Sequence, residues 1–451
     1  MKMNKINDLL EERLLPIAVK LGSNRMLIAI RDGITLGLPL IIIGSLFLVI
    51  SSFPIEAWTN WLESTGISTY LNKGVNGSFG LMGLIASFGI AHSLARQYDV
   101  DGVSAGIVSL ASFLVVTPNI FSGEEVPLEG IRLGYMGSQG LFVAIVLGII
   151  TALIFQWFIN HNIQIRLPEA VPPAVSRSFS ALIPGAVIIT MWLIVYAVLD
   201  SFDLPNVHDL LMVILGKPMS VLGDTLGGTV LVIFFNSLFW FMGIHGGNVV
   251  NSMVNPIWLM NTDANRLAFQ ADRTAALPHI ITQPFMDNFV FLGGGGATLG
   301  LMLVIALVAA KKKSSQISKT MAPLTLTPGI FNINEPAMFG LPVVLNVSLL
   351  LPFILAPIAN AIIAYFAMST GLVHGTVGVS IPWTMPPIIS GFLATGGHIS
   401  GSILQVFCLV IDVLLYFPFY VSVEKQNLAK ESGQSLEEIQ AKEHRGEAVR
   451  D

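Results

Sequence analysis

Apolar residues fill most of the chain in long blocks, and polar residues are confined to the short stretches between them. The blocks near 27–50, 79–95, 103–118, 134–158, 181–199, 226–244, 296–310, 348–369 and 399–421 predict membrane-spanning helices, because a crossing needs about 20 apolar residues. Two further apolar stretches, 323–346 and 381–396, are short and broken by Pro, Gly and Asn. Between the basic run "KKKSSQISK" at 311–319 and the charged tail there are only two long blocks. The broken stretches therefore predict re-entrant hairpins, which survive at membrane depth only where protein or a watery cavity covers them. The stretch 278–295, "PHIITQPFMDNFVFLGGG", is a third segment of the same kind.

Composition fixes the class. The chain has 451 residues, 53% hydrophobic and 11% charged, whereas soluble domains carry about 25% charged residues. The reading is an all-α polytopic membrane protein. Residues 1–421 form one integral unit and 422–451 a charged tail of solvated helix or disorder. The single cysteine, Cys408, lies in the run "LQVFCLVIDVLLYF". It reads as packing, and excludes a disulfide framework or a cysteine zinc cluster. The polar, amphipathic N-terminus lacks the pattern of a removable signal peptide.

Lys and Arg in short connections set orientation. Lys2, Lys5, Arg13, Lys20, Arg25 and Arg31 crowd the N-terminal segment. Arg96, then Arg166 and Arg177, then Arg266 and Arg273 mark alternate connections, and "FSGEEVPLEGIRLG" and "LDSFDLPNVHD" between them are acidic. The alternation predicts cytoplasmic N- and C-termini in a multi-pass protein of the cell membrane. Arg96, the 160–177 loop, Lys311, Lys312 and Lys313 then form a basic cytoplasmic face suited to a partner.

Ionisable groups inside spans are candidate functional residues. "GIFNINEPAMFGLP" holds Glu335 between Asn332, Asn334 and Pro336. "FWFMGIHGGNVVN" places His245 among Gly243, Gly246 and Gly247, and glycines permit close approach of backbone or ligand. "FMDNFVFLGGGGATLG" supplies Asp287 and Asn288. Its glycines do not follow the dinucleotide pattern and no strand precedes them, so neither nucleotide nor nucleic acid is expected. "IPWTMPP" adds Trp383, and "KGVNGSFG" adds Asn76. His92 and Asp412 receive no role. Asn, Asp, His, Glu and Trp without metal-ligand spacing point to a neutral, hydroxyl-rich ligand, with no metal or cofactor.

Five ordered motifs, "LPEAVPPAVSRSFSALIPG", "GIHGGNVV", "DNFVFLGGGGATLGL", "GIFNINEPAMFGLPVVLN" and "PWTMPPIISGF", resemble the enzyme IIC membrane component of the bacterial phosphotransferase system, in its lactose/cellobiose/diacetylchitobiose family. The resemblance extends over nearly the whole chain. One departure is Val347, where relatives often carry Pro. The resemblance implies about ten transmembrane helices plus two re-entrant hairpins, and a homodimer. It implies a part to about residue 220 for dimerisation and scaffold, and a moving sugar-binding part over about 221–421. It also implies import of a β-linked disaccharide with phosphorylation of its 6-hydroxyl by a phosphocysteine on a separate enzyme IIB protein. Carried onto these residues, Glu335 and His245 bind that hydroxyl and one of them takes its proton. Asn334, Asn332, Asp287, Asn288, Trp383, Asn76 and Gly246 contact the sugar. Glu335 is expected in a partly dry pocket. The small residues around His245 leave room for an acetamido group, which favours diacetylchitobiose narrowly over cellobiose. Two rivals fit the residues alone: a proton-coupled sugar symporter using Glu335, and a membrane sugar receptor that does not transport.

Overall fold

A run of helix-forming apolar residues without polar interruption has no partner for its backbone in hydrocarbon except itself, so it folds as helix. In the computed structural model, which describes residues 15–53, 55–122, 128–168, 170–341 and 343–432, six helices are long and apolar enough to cross a membrane. These are Arg25–Ser51, Ile67–Arg96, Ser138–Asn160, Pro173–Ser201, Val347–Ser369 and Ile399–Ser432. A seventh crossing is the pair Val207–Gly223 and Leu226–Phe241, bent by 79°. Large apolar side chains such as Leu46, Ile194, Phe366 and Leu414 remain exposed on the outside of this bundle, as a bilayer requires.

The expected blocks differ from the observed helices in instructive ways. The 103–118 and 296–310 blocks become helices of 15 and 11 residues, Gly102–Val116 and Leu299–Ala309. Neither reaches the length of a crossing, and each is sheltered by neighbours. Ser87 and Ser109 hydroxyls lie 2.8 Å apart where the first packs on the Ile67–Arg96 helix. Gly300 lets the second approach Asp412, since a Cβ there would stand 2.4 Å from the Asp412 Cβ. The Ser252–Ala271 helix was not expected at all, because Asn261, Thr262, Asp263, Asn265 and Arg266 interrupt its apolar pattern. All five are buried against protein. Reaching ten helices requires counting these two short apolar helices and this polar one. A short antiparallel hairpin, Asn119–Ser122 with Leu128–Ile131, was likewise not expected.

Two arginines taken as cytoplasmic markers are not in a loop at that end. Arg266 is buried, paired with Asp263 at 2.7 Å, and Arg273 donates to the Ser51 carbonyl at 2.7 Å. Ser51 closes the first long helix, so both arginines belong with the end opposite Arg25. At the Arg25 end, Gln97 donates to the Arg25 carbonyl at 3.2 Å, which keeps Arg96 beside the N-terminal basic residues.

The three broken segments form partial helices joined by tight reversals. The 278–295 stretch has one helical turn at Gln283–Phe285, a wider turn at Met286–Val290 and then Gly293, Gly294 and Gly296 at positive φ. The 323–346 stretch sits on the Gln316–Gly329 helix, reverses through Asn332 (φ 60°), and resumes helical turns at Pro336–Gly340. The 381–396 stretch is irregular until Ile389–Ala394.

The last helix does not end with the apolar block. It continues from Ile399 to Ser432, so the first eleven residues assigned to a solvated tail pack on the protein; residues 433–451 lie outside the described residues. Glu424, only 6% exposed, accepts from Ser315 N at 2.6 Å, from Ser315 Oγ at 2.7 Å and from Ser318 Oγ. Glu431 accepts from Gln316 N at 3.0 Å and Ile317 N at 3.2 Å. Both carboxylates satisfy amides at the start of the Gln316–Gly329 helix, where four N–H groups lack an intrahelical partner and negative charge is favoured. Replacing Glu424 by Ala strands Ser315 and Ser318 in a buried site and should cost on the order of 2–3 kcal/mol. Glu431→Ala, at an exposed position, should cost well under that. Thermal unfolding of the purified protein in detergent checks this: a clear fall in Tm for Glu424→Ala and a small one for Glu431→Ala. Equal Tm values for Glu424→Ala and the unaltered protein would contradict it.

Candidate functional site

Breaking a helix inside a membrane protein frees amides and carbonyls, and each needs a new partner. Here asparagine side chains supply them. Asn332 Oδ1 accepts from Gly293 N at 2.6 Å, and its Nδ2 donates to the Trp383 carbonyl. Asn334 Nδ2 donates to the Gly295 carbonyl at 3.1 Å. The three broken segments are thereby tied at one point. The tie is close: a Cβ at Gly294 would lie 2.8 Å from Asn334 Cγ, and one at Gly295 2.6 Å from the Trp240 ring.

A cavity of about 350 Å³ opens where they meet, inside the range of small-ligand sites. Its wall carries Glu335, His245, Asp287, Asn332, Asn334 and Trp383, six residues that the sequence singled out from four separate segments. Glu335 stands at the turn between the Gln316–Gly329 helix and the Pro336–Gly340 turn. It is exposed to the opening, where a partly dry pocket was expected. Its carboxylate makes no hydrogen bond or ion pair with any described residue, so its lone pairs remain available. His245 follows the Leu226–Phe241 helix. Its ring lies 4.2 Å from the Trp240 ring, centroid to centroid. The Asn248 amide donates to His245 Nδ1 at 3.3 Å, which leaves Nε2 to carry the ring proton. Asp287 differs from Glu335: both its oxygens accept from Gln283 Nε2, at 2.9 and 3.0 Å.

Three expected contacts do not line the cavity. Asn76 Oδ1 accepts from Arg266 Nη1 at 3.1 Å, in a buried network where Ser138 Oγ donates to Asp263 at 2.7 Å. Asn288 is buried behind the wall, donating to the Pro284 carbonyl at 2.9 Å and offering its own carbonyl to Gln405 at 2.6 Å. Gly246 packs on backbone: a Cβ there would fall 2.1 Å from the Asn236 carbonyl oxygen. Gly243 is at φ 80°, and a Cβ at Gly247 would lie 3.1 Å from the His245 ring. Of these three glycines, Gly247 lines the cavity, whereas Gly243 and Gly246 serve the turn and the packing behind it. Asp412 accepts from Asn360 at 3.0 Å and holds helices together away from the cavity.

The sequence reading missed Asn236, Trp240, Asn251, Phe291, Gly294 and Gly295, which with Gly247 complete the wall. Asn236 had a signal: an amide in the apolar run "LVIFFNSLFWF", one turn before Trp240. Asn251 had less, because its helix did not read as a span. Among the described residues, no group of three or more His, Cys, Asp or Glu is placed to hold a metal ion.

Comparisons with known proteins agree with this arrangement. The family described as "Phosphotransferase system, EIIC" matches residues 31–357. The lichenan permease IIC component of Bacillus subtilis (strain 168) is 44% identical over 445 residues, covering 96% of this chain and 97% of that protein. The cellobiose-specific EIIC component of Geobacillus stearothermophilus is 43% identical over 444 residues, covering 95% and 96%. Among solved structures, the transporter ChbC, the IIC component from the N,N'-diacetylchitobiose-specific phosphotransferase system, matches with a TM-score of 0.89 and 40% identity, covering 95% of this chain and all of that one. With its membrane helices, its three tied broken segments and its matches over most of the chain, the protein belongs to the enzyme IIC components of the bacterial phosphotransferase system, in the lactose/cellobiose/diacetylchitobiose family.

Proposed function

We propose that this chain imports a β-linked disaccharide and presents its 6-hydroxyl at the cavity to phosphorylated enzyme IIB, a separate protein. The observation that carries the reading is Glu335: a carboxylate with no hydrogen-bond partner among the described residues, on a hairpin turn, sharing a cavity with His245 in a member of this family. Phosphoryl transfer asks mainly for positioning and for somewhere to put the hydroxyl proton. Because His245 Nδ1 is engaged by the Asn248 amide, the imidazole serves as a donor from Nε2 to one lone pair of the sugar O6. Glu335 takes the proton. As the O6–H bond breaks, O6 bonds to phosphorus, the phosphorus–sulfur bond of the IIB phosphocysteine breaks, and the sulfur leaves as thiolate.

The alternating charges that remain after Arg266 and Arg273 are set aside support cytoplasmic termini. Ile244 lies against Gly22, so the cavity is near the N-terminal basic end. Exposed Arg96, Lys311 and Lys312, with Lys313 beside them in sequence, then form the docking face for IIB. A homodimer, with the segment to about 220 as scaffold and 221–421 as the moving sugar-binding part, completes the reading.

For the sugar, only Gly247 of the three glycines around His245 lines the cavity, which is a weak ground for preferring diacetylchitobiose. Relatives more than 40% identical are named for lichenan and cellobiose, and we infer a cellobiose-type β-glucoside ahead of diacetylchitobiose. Unlabelled cellobiose should displace labelled sugar better than diacetylchitobiose does. Tenfold better displacement by diacetylchitobiose, about 1.4 kcal/mol, would reverse the order and leave the carrier mechanism intact.

The mechanism is tested with purified protein and phosphorylated IIB. Removing a general base typically costs about 10²–10⁴-fold. Glu335→Gln should therefore lose that much sugar-phosphate formation while retaining sugar binding. His245→Ala should lose both in part. Unchanged phosphorylation in both variants would sink the assignment. Vesicle uptake of unmodified sugar that stops when the proton gradient collapses would instead establish a symporter. For the docking face, reversing the charge of Lys311, Lys312 and Lys313 should raise the KM for phosphorylated IIB and leave sugar affinity unchanged. A parallel loss of sugar affinity would place the defect in folding.

A further inference from the structure

Asn251 stands on the cavity wall just before the Ser252–Ala271 helix. Its Oδ1 accepts a hydrogen bond from Asn236 Nδ2 at 3.0 Å. Asn236 comes from the Leu226–Phe241 helix and is 2% exposed. Its own Oδ1 is buried with no partner among the described residues, and the bond from its Nδ2 turns the Oδ1 of Asn251 toward it. The other end, Nδ2, has no hydrogen-bond partner among the described residues, and Asn251 lines the cavity. A freely turning asparagine can donate or accept; an asparagine whose carbonyl is turned to a protein partner presents its N–H donors on the other side.

We propose that Asn251 is a specificity-determining residue that donates to an acceptor oxygen of the bound sugar, and that Asn236 is the positioning residue that sets this polarity. The inference rests on the reading of the cavity as a sugar site. The ligand group it selects must offer a lone pair: a hydroxyl, an ether oxygen or an amide carbonyl. A protonated amino group at that position, as in a deacetylated amino sugar, offers none and is refused.

The test uses the full chain in detergent and binding of cellobiose with its monodeoxy and monodeoxyfluoro analogues at every hydroxyl except O6. A C–F group accepts weakly and cannot donate. At one position the unaltered protein should bind the deoxy analogue about tenfold more weakly than cellobiose, the scale of one lost hydrogen bond, and the fluoro analogue distinctly less weakly. Asn251→Asp keeps an acceptor for Asn236 and replaces only the donor. There cellobiose affinity should fall to a similar extent, and the deoxy and fluoro analogues should bind alike. Asn236→Ala frees the amide to turn, so cellobiose should bind more weakly and the difference between fluoro and deoxy should disappear. A merely structural role for Asn236 would not move that difference.

The analogue series on the unaltered protein is decisive even if a variant fails to fold. Equal losses for fluoro and deoxy analogues at every position would overturn the donor assignment. A difference that persists in Asn236→Ala would overturn the positioning role. Failure of the unaltered protein to bind any β-linked disaccharide would remove the sugar reading itself, and this inference with it.

Discussion

The structure depends on a solution to unpaired backbone. Three segments stop being helical within the protein, and their freed amides and carbonyls would each cost several kcal/mol in hydrocarbon. Asn332 and Asn334 answer this by acting as surrogate backbone: one amide bridges Gly293 N and the Trp383 carbonyl, and the other takes the Gly295 carbonyl. Because these bonds cross between segments, the same atoms that satisfy the backbone also bring Glu335, Trp383 and the glycine turn to one cavity. The asparagines expected to hold substrate are thus committed largely to holding the site.

Two further constraints position that hairpin. At the start of its helix, Glu424 and Glu431 tie the Gln316–Gly329 segment to the extension of the last helix. Across the bundle, the Asp263–Arg266 pair joins the Ser252–Ala271 helix to Ser138 and Asn76 of the first half. A buried ion pair contributes little net stability over apolar packing, yet losing one partner costs about 3–5 kcal/mol. Its value is registry: it specifies how the two halves meet.

The long helices were legible because a crossing leaves an unbroken apolar signature. The broken segments were legible by contrast, as apolar stretches too short and too rich in Pro, Gly and Asn to cross. Glu335, His245, Asp287 and Trp383 were legible because a polar or aromatic group in or beside a broken apolar segment stands out from its surroundings. What escaped notice was polarity balanced internally. The Ser252–Ala271 helix hides Asp263 and Arg266 by pairing them, so composition alone read Arg266 as a loop residue. Asn76 and Asn288 looked like ligands for the same reason: a polar side chain that meets a partner far along the chain is indistinguishable, in sequence, from one awaiting substrate. Gly246, expected beside the sugar, packs on the Asn236 backbone instead, since absence of a side chain marks close backbone packing as readily as open space. Residues 422–432 read as tail because their burial comes from Ser315 and Ser318, more than a hundred positions earlier in the chain.

These features converge on a single geometric claim, that the tied broken segments exist to hold a sugar hydroxyl between Glu335 and the Nε2 of His245. A structure of the protein with cellobiose bound measures it directly. The account predicts the O6 oxygen within hydrogen-bond reach of the Glu335 carboxylate, about 2.6–3.2 Å, with His245 Nε2 donating to the same oxygen. A disaccharide seated elsewhere in the bundle, or in this cavity with O6 turned away from Glu335, would contradict it.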